Sequence, residues 1–245
     1  MQKVFMTLSI PVPETAMVLA AGRGTRMAPL GDDRPKPLLQ VAGRSLIDRA
    51  LDRLAAAGVK RAVVNLHHKG EMIRAHLQNR RDLEITFSDE TGDLLETGGG
   101  VAKALPLLGT GPFYVVNADA LWFDGMKDTL QRLARRFDPA RMAAILLLNP
   151  TVGAIGYPGM GDYVMWPDGA LTRREETHVS PFVFTGVQIL TPDLFADCPS
   201  GAFSLNLLYD RAEEAGRLFG LRHEGDWMCI NTPKGLEAAD QALAA

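Results

Sequence analysis

With 245 residues, a formal net charge of −3 and 47% hydrophobic residues, the chain has the make-up of a soluble globular protein with one large domain or two small ones. The acidic balance argues against a nucleic-acid binder working through a broad basic face, and apolar runs such as Ala143 to Leu148 fall far short of a bilayer span. Two cysteines, Cys198 and Cys229, give neither a disulfide framework nor metal-ligand spacing, so a reducing cytoplasm is the simplest compartment.

The opening "MQKVFMTLSIPVPETAM" carries one lysine and a short apolar patch that Pro11 and Pro13 interrupt, without a signal-peptide core of adequate length. Residues 1–15 read as an N-terminal extension to a single domain over 16–245. "AMVLA" (16–20) is a continuous apolar run, as expected of a strand covered on both faces. Ser45 with Asp48 three positions on predicts a helix start. The stripe Leu46, Ile47, Ala50, Leu51 and Leu54 then runs to Gly58. "RAVVNL" (61–66) predicts a strand, Met72, Ile73, His76 and Leu77 a short helix, and "LEITF" (83–87) another strand.

"FYVVNAD" (113–119) predicts a buried strand ending on polar residues. Leu130, Leu133, Ala134 and Phe137 mark a helix, and "AAILLL" (143–148) a further buried strand. Beyond Pro150 the pattern becomes β-rich. "DYVMWPDGALTRR" predicts a hairpin about Pro167-Asp168-Gly169, and "FVFTGVQIL" (182–190) a strand. Thr232 with Pro233 announces a last helix to Ala244. Alternating strands and helices point to an α/β sheet.

The segment "VLAAGRGTRMAPLGDDRPKPLL" concentrates chemistry. Gly22 and Gly24 let backbone N–H groups approach an anion and form a concave nest. Arg23, Arg26, Arg34 and Lys36 set four cations against Asp32 and Asp33. A Walker loop needs two glycines four residues apart followed by Lys-Ser/Thr, and no such run exists. A dinucleotide fingerprint needs Gly or Ala where Met27 stands and an acid ending the second strand, which ends in Asn65-Leu66-His67. A phosphate loop of another kind is left.

"LAAGRGTRMAPL…RPKPLL" resembles the signature loop of the sugar-1-phosphate nucleotidyltransferases. The resemblance extends to "LETGGGVAKALPLL" (95–108), "VVNAD" (115–119), "GDY" (161–163), "FTGVQIL" (184–190) and "WMCINTP" (227–233), nearly the whole chain. "LETGGG" and the short length bring it closest to the N-acetylmuramate 1-phosphate uridylyltransferases of peptidoglycan recycling. The resemblance implies a Rossmann-like three-layer (GT-A-like) α/β fold with a mixed central sheet and a small β-rich sugar-binding portion. It implies a cytoplasmic enzyme that takes a nucleoside triphosphate and a sugar 1-phosphate; the sequence leaves its oligomeric state, monomer or weak dimer, open.

Such a reaction needs no protein nucleophile, because a phosphate oxygen of the sugar phosphate attacks the α-phosphorus. The protein must hold two polyanions in line and neutralise charge moving onto pyrophosphate. The resemblance assigns Arg26 to the triphosphate and Lys36, framed by Pro35 and Pro37, to the attacked phosphate. Leu19, Ala21, Gly22, Gly24 and Thr25 would line the nucleotide. Glu96, Gly98 and Gly99 of "ETGGG", read as bare backbone before a helix, would meet the base. Asp119, at the carboxyl end of a central strand, would hold Mg²⁺, and Asp124 reads as a helix cap. Gly161, Asp162, Thr185 and Gly186 would face the hexose.

The pattern breaks near the end. A second metal-binding aspartate is expected at the position of Cys229, with glycine at Asn231. A neutral thiol is a poor ligand for a hard cation, and Asp226, at an odd offset, is an imperfect substitute. Either Asp119 suffices with substrate oxygens and water, or Mn²⁺ is used, or catalysis is lost. The expected activity is formation of UDP-N-acetylmuramate. The alternatives are a mannose-1-phosphate guanylyltransferase and a non-catalytic nucleotide-sugar-binding protein.

Overall fold

The computed structural model describes residues 12–30 and 33–244. Most of the expected N-terminal extension, and Asp32 of the charged segment, lie outside the described residues.

The first strand, β1 (Thr15–Leu19), lies between two parallel neighbours, β2 (Arg61–Leu66) and β4 (Phe113–Asn117); β3 (Glu84–Asp89) pairs parallel with β2. All three central strands consist of apolar runs because both faces are covered. Successive residues alternate between the two faces: Ala16, Val18, Val64 and Val116 join one core cluster, while Met17, Val63 and Val115 join the other. Helices α1 (Leu46–Ala57), α2 (Gly70–Leu77) and α4 (Thr129–Arg136) cover the first face. The second is covered by α3 (Glu96–Leu108) and α5 (Asn206–Glu214), giving three layers.

Local signals place these elements. The Ser45 hydroxyl accepts the Asp48 amide at 3.1 Å, and Gly58 closes α1 in the left-handed conformation at φ 99°. The expected cap at Asp124 is corrected. Asp128 caps α4 by accepting the Gln131 amide at 2.7 Å. The Asp124 carboxylate pairs with Arg53 at 2.6 Å and accepts the Thr129 amide at 3.0 Å.

The later half makes the sheet mixed. β8 (Phe182–Leu190) runs antiparallel to both β4 and β5 (Ala144–Pro150), and β9 (Leu218–Arg222) lies parallel to β5. The hairpin of β6 (Tyr163–Met165) and β7 (Leu171–Arg173) joins β8 at Phe182. A third apolar cluster, with Met27, Leu39, Val41, Leu121, Met228 and Ile230, lies beneath the last helix, α6 (Pro233–Ala244). The fully buried Met27 anchors the charged segment there. The residue that disqualifies a dinucleotide fingerprint thus pins the loop to the core.

Candidate active site

Brought together at the carboxyl ends of β1, β2 and β4 is a cleft of about 440 Å³, the place where open α/β sheets receive ligands. Its floor is backbone from Leu19 to Gly24, and Lys36, Pro37 and Arg26 stand at one side. Asn117, Ala118 and Asp119 close another, while Glu96 and Thr97 face in from the start of α3. Leu19, Ala21, Gly22, Gly24, Arg26, Lys36, Glu96 and Asp119, all named from the sequence, therefore line one cavity. Thr25 is exposed, opens a single 3-10 turn to Met27, and does not line the cleft.

Close packing explains the glycine and proline spacing. Gly24 has φ 62°, and a Cβ built on it would lie 3.1 Å from the Cβ of Lys36. Pro35 enters a turn over Lys36–Leu38 in extended conformation, and the Leu38 amide donates to the Pro35 carbonyl at 2.9 Å. That turn aims the Lys36 ammonium into the cleft. It donates to Asp119 Oδ2 and, at 2.9 Å, to Asn231 Oδ1. Asn231 in turn donates through Nδ2 to Cys229 Sγ at 3.2 Å. Burial pushes the Cys229 thiol up, so it stays protonated near neutral pH.

Residues 16–167 match the family model described as the MobA-like NTP transferase domain. The chain belongs to that family. It is 43% identical over 236 residues to the N-acetylmuramate alpha-1-phosphate uridylyltransferase of Caulobacter vibrioides, covering 95% of this chain and 98% of that protein. It is 38% identical over 234 residues to the Neisseria meningitidis protein of the same name, covering 94% and 97%. Among solved structures, UDP-glucose pyrophosphorylase complexed with UDP-glucose shares the fold at a TM-score of 0.78 and 17% identity, over 94% of this chain and 98% of that one. The family and fold class expected from the signature loop are borne out.

Within this NTP transferase fold, the "ETGGG" segment is the first turn of α3 rather than a loop. Glu96 enters it at φ 56°, a strained value for a non-glycine residue on a pocket wall. Gly98 and Gly99 do not line the cleft. Their amides donate to the Phe203 carbonyl at 2.8 and 3.1 Å, and a Cβ on either would collide with the 201–203 backbone. Both glycines serve the packing of α3 against the chain that crosses its start.

The four residues expected at the hexose also lie off this cleft. Thr185 is buried and donates its hydroxyl to the Leu147 carbonyl at 2.9 Å, inside the sheet. Gly186, at φ 83°, makes room for Asn117: an added Cβ would lie 2.7 Å from Asn117 Nδ2. Gly161 has both backbone groups engaged, with Tyr157 and Arg174. Asp162 lines a second cleft of about 700 Å³ with Phe184 and Asn206, and accepts the Phe184 amide at 2.8 Å. Ser204 lines the first cleft and Asn206 the second, so one short segment borders both.

Three contributors escape the motif reading. Asn65, at the end of β2, lines the cleft, and buried Glu90 stands behind it. Their signal is a polar or acidic residue ending a buried strand. Asn231 is the third, drawn in from the far end of the chain. Asp226 is exposed and does not line the cleft; its backbone carbonyl accepts the Phe123 amide.

The donor set suits a hard divalent cation. Asp119 offers a carboxylate oxygen on the wall of the cleft, and Mg²⁺ commonly takes one or two carboxylates and completes its shell with water and substrate phosphate. Among the described residues there is no group of three or more His, Cys, Asp or Glu side chains that could hold such an ion alone.

Proposed function

We propose that this chain transfers a uridylyl group from UTP to N-acetylmuramate 1-phosphate, releasing pyrophosphate and forming UDP-N-acetylmuramate. The supporting observation is the convergence of Lys36, Arg26 and Asp119 on a cleft floored by bare backbone, in a chain similar along its length to two uridylyltransferases.

An oxygen of the sugar phosphate attacks the α-phosphorus of UTP. The bond from that phosphorus to the oxygen bridging to the β-phosphate breaks, and pyrophosphate leaves with the electron pair. The Gly22–Gly24 backbone cups the triphosphate, and the exposed guanidinium of Arg26 neutralises the departing pyrophosphate. Lys36, positioned against Gly24, takes the charge on the attacked phosphate. Asp119 would hold the divalent cation; bound Mg²⁺, or Mn²⁺, supplies neutralisation at the phosphate oxygens. The sugar extends past Ser204 toward Asp162. Two free cysteines and a triphosphate substrate favour a cytoplasmic setting, where the product returns a peptidoglycan sugar to activated form.

A panel of four nucleoside triphosphates against several sugar 1-phosphates, read by pyrophosphate release, tests this. Turnover with UTP and N-acetylmuramate 1-phosphate above all other pairs is expected. Turnover only with GTP and mannose 1-phosphate would replace the proposal by a guanylyltransferase. UTP binding without turnover by any pair would make the chain a nucleotide-sugar-binding protein.

A further inference from the structure

The Lys36 ammonium is held by two oxygens from distant parts of the chain. One belongs to the Asp119 carboxylate; the other is the carboxamide oxygen of Asn231, 195 residues away from Lys36 in sequence. An ammonium has only donors, so the Asn231 face turned to it must be oxygen. The opposite face, the NH₂, meets Cys229 Sγ, which accepts. The chemistry of the two neighbours thus sets the carboxamide orientation. Cys229 itself is locked in place: its amide donates to the Ile155 carbonyl at 2.8 Å, and bare backbone at Gly156 and Gly235 packs against its carbonyl.

We propose that Asn231 Oδ1 is a second protein oxygen donor, beside Asp119, for the divalent cation, with Cys229 as the positioning residue that turns that oxygen inward. The proposal rests on the metal-dependent transfer set out above. Two oxygens already share one cation here, the ammonium, at the rim of the cleft that takes the triphosphate. Both are hard donors of the kind Mg²⁺ and Mn²⁺ select, whereas the sulfur of Cys229 is a soft one. The chain thereby regains two residues further on the oxygen that is absent at Cys229. The amide is neutral, so the pair carries one negative charge instead of two.

The test is Mn²⁺ binding to the full chain without nucleotide, followed by electron paramagnetic resonance of the free ion. Asn231→Leu is expected to weaken Mn²⁺ binding roughly tenfold or more, and Asn231→Asp to restore or tighten it. Cys229→Ala should weaken it by a similar factor, while Cys229→Ser, which keeps an acceptor, should not. The double variant Cys229→Asp/Asn231→Gly should bind at least as tightly as the wild type. Lys36→Met should tighten binding by removing the competing ammonium. Thermal unfolding of each variant identifies any that fail to fold, and the Asn231→Asp and Cys229→Ser comparisons stand if the larger substitutions do.

Wild-type Mn²⁺ affinity in Asn231→Leu together with lost turnover would overturn the proposal and make Asn231 a support for Lys36 alone. Unchanged affinity in both Asn231→Leu and Asp119→Asn would overturn it by placing the cation elsewhere. Failure of the uridylyl-transfer reading is recognised separately, as absence of pyrophosphate release by the wild type while these affinity differences persist.

Discussion

Asn65 and Glu90 share a buried hydrogen bond of 2.8 Å, and the other end of the Asn65 carboxamide holds the Ala20 amide at 2.6 Å. Glu90 Oε2 also accepts the Leu95 amide at 3.3 Å. One chain of bonds therefore ties together the ends of β1, β2 and β3 and the approach to α3, directly behind the cleft floor. Each member is a polar group almost without solvent, so its partner cannot be replaced by water at low cost.

Asn65→Leu keeps the volume and removes both bonds, depriving Glu90 Oε1 and the Ala20 N–H of these partners. A loss of about 2–4 kcal/mol in urea unfolding is expected. A raised KM for the nucleoside triphosphate should accompany it, because Ala20 lines the cleft. A loss below about 0.5 kcal/mol would show that the network does not hold the floor.

Gly22 and Gly24 are expected to separate. A Cβ at Gly22 meets nothing within 4 Å, so Gly22→Ala should fold normally and act only on nucleotide affinity. Gly24→Ala forces a side chain into φ 62° and to within 3.1 Å of Lys36 Cβ, displacing the lysine. About 1 kcal/mol of stability should go, with a tenfold or larger fall in kcat. Equal effects on kcat from the two variants would argue against a special contact between Gly24 and Lys36.

Gly98 and Gly99 should prove structural. A Cβ at Gly98 lies 2.4 Å from the Phe203 ring, and one at Gly99 lies 2.2 Å from the Gly201 carbonyl oxygen. Alanine at either is expected to lower stability by about 1–3 kcal/mol, measured by denaturant unfolding, with the preference for UTP over GTP unchanged. A stable variant with altered base preference would restore these glycines to the base site.

Burial holds the Asp162 carboxyl above the usual carboxylate range, against the opposing pull of the Phe184 amide. A folded-state value above the unfolded one favours folding at low pH, and that advantage is lost as pH rises through the raised value. Asp162→Asn keeps an oxygen for the Phe184 amide and never ionises. It should therefore melt higher than wild type near neutral pH and converge with it below about pH 4. If Asp162 meets the hexose, kcat/KM for the sugar phosphate should fall at least tenfold while that for UTP holds. Unchanged sugar kinetics would remove Asp162 from the sugar site.

Much of the fold is legible in local pattern because local physics dictates it. The run "RAVVNL", short and rich in valine, reads as a strand, and Ser45, Asp48 and Gly58 state the ends of α1 in capping chemistry. "ETGGG" misleads, since three glycines lower helix propensity; Phe203 and Gly201 override this by filling the space that side chains would need. Thr185 misleads in a different way. Its hydroxyl looks available for a ligand, and only the shift of register between Phe184 and Gln188, where β8 meets β5, turns it to the Leu147 carbonyl.

The glycine–lysine segment is determined by sequence alone. Its bare backbone, its proline-framed lysine and its local charge are properties of consecutive residues. The tertiary structure alone decided which polar side chains join it. Asn65, with Glu90 behind it, and Asp119 are brought together because parallel strands bury their runs in the same sheet and leave their carboxyl ends side by side. Lys36 and Asn231 stand 195 residues apart and obey no shared period; packing of the last segment onto the Met27 cluster is what makes them neighbours.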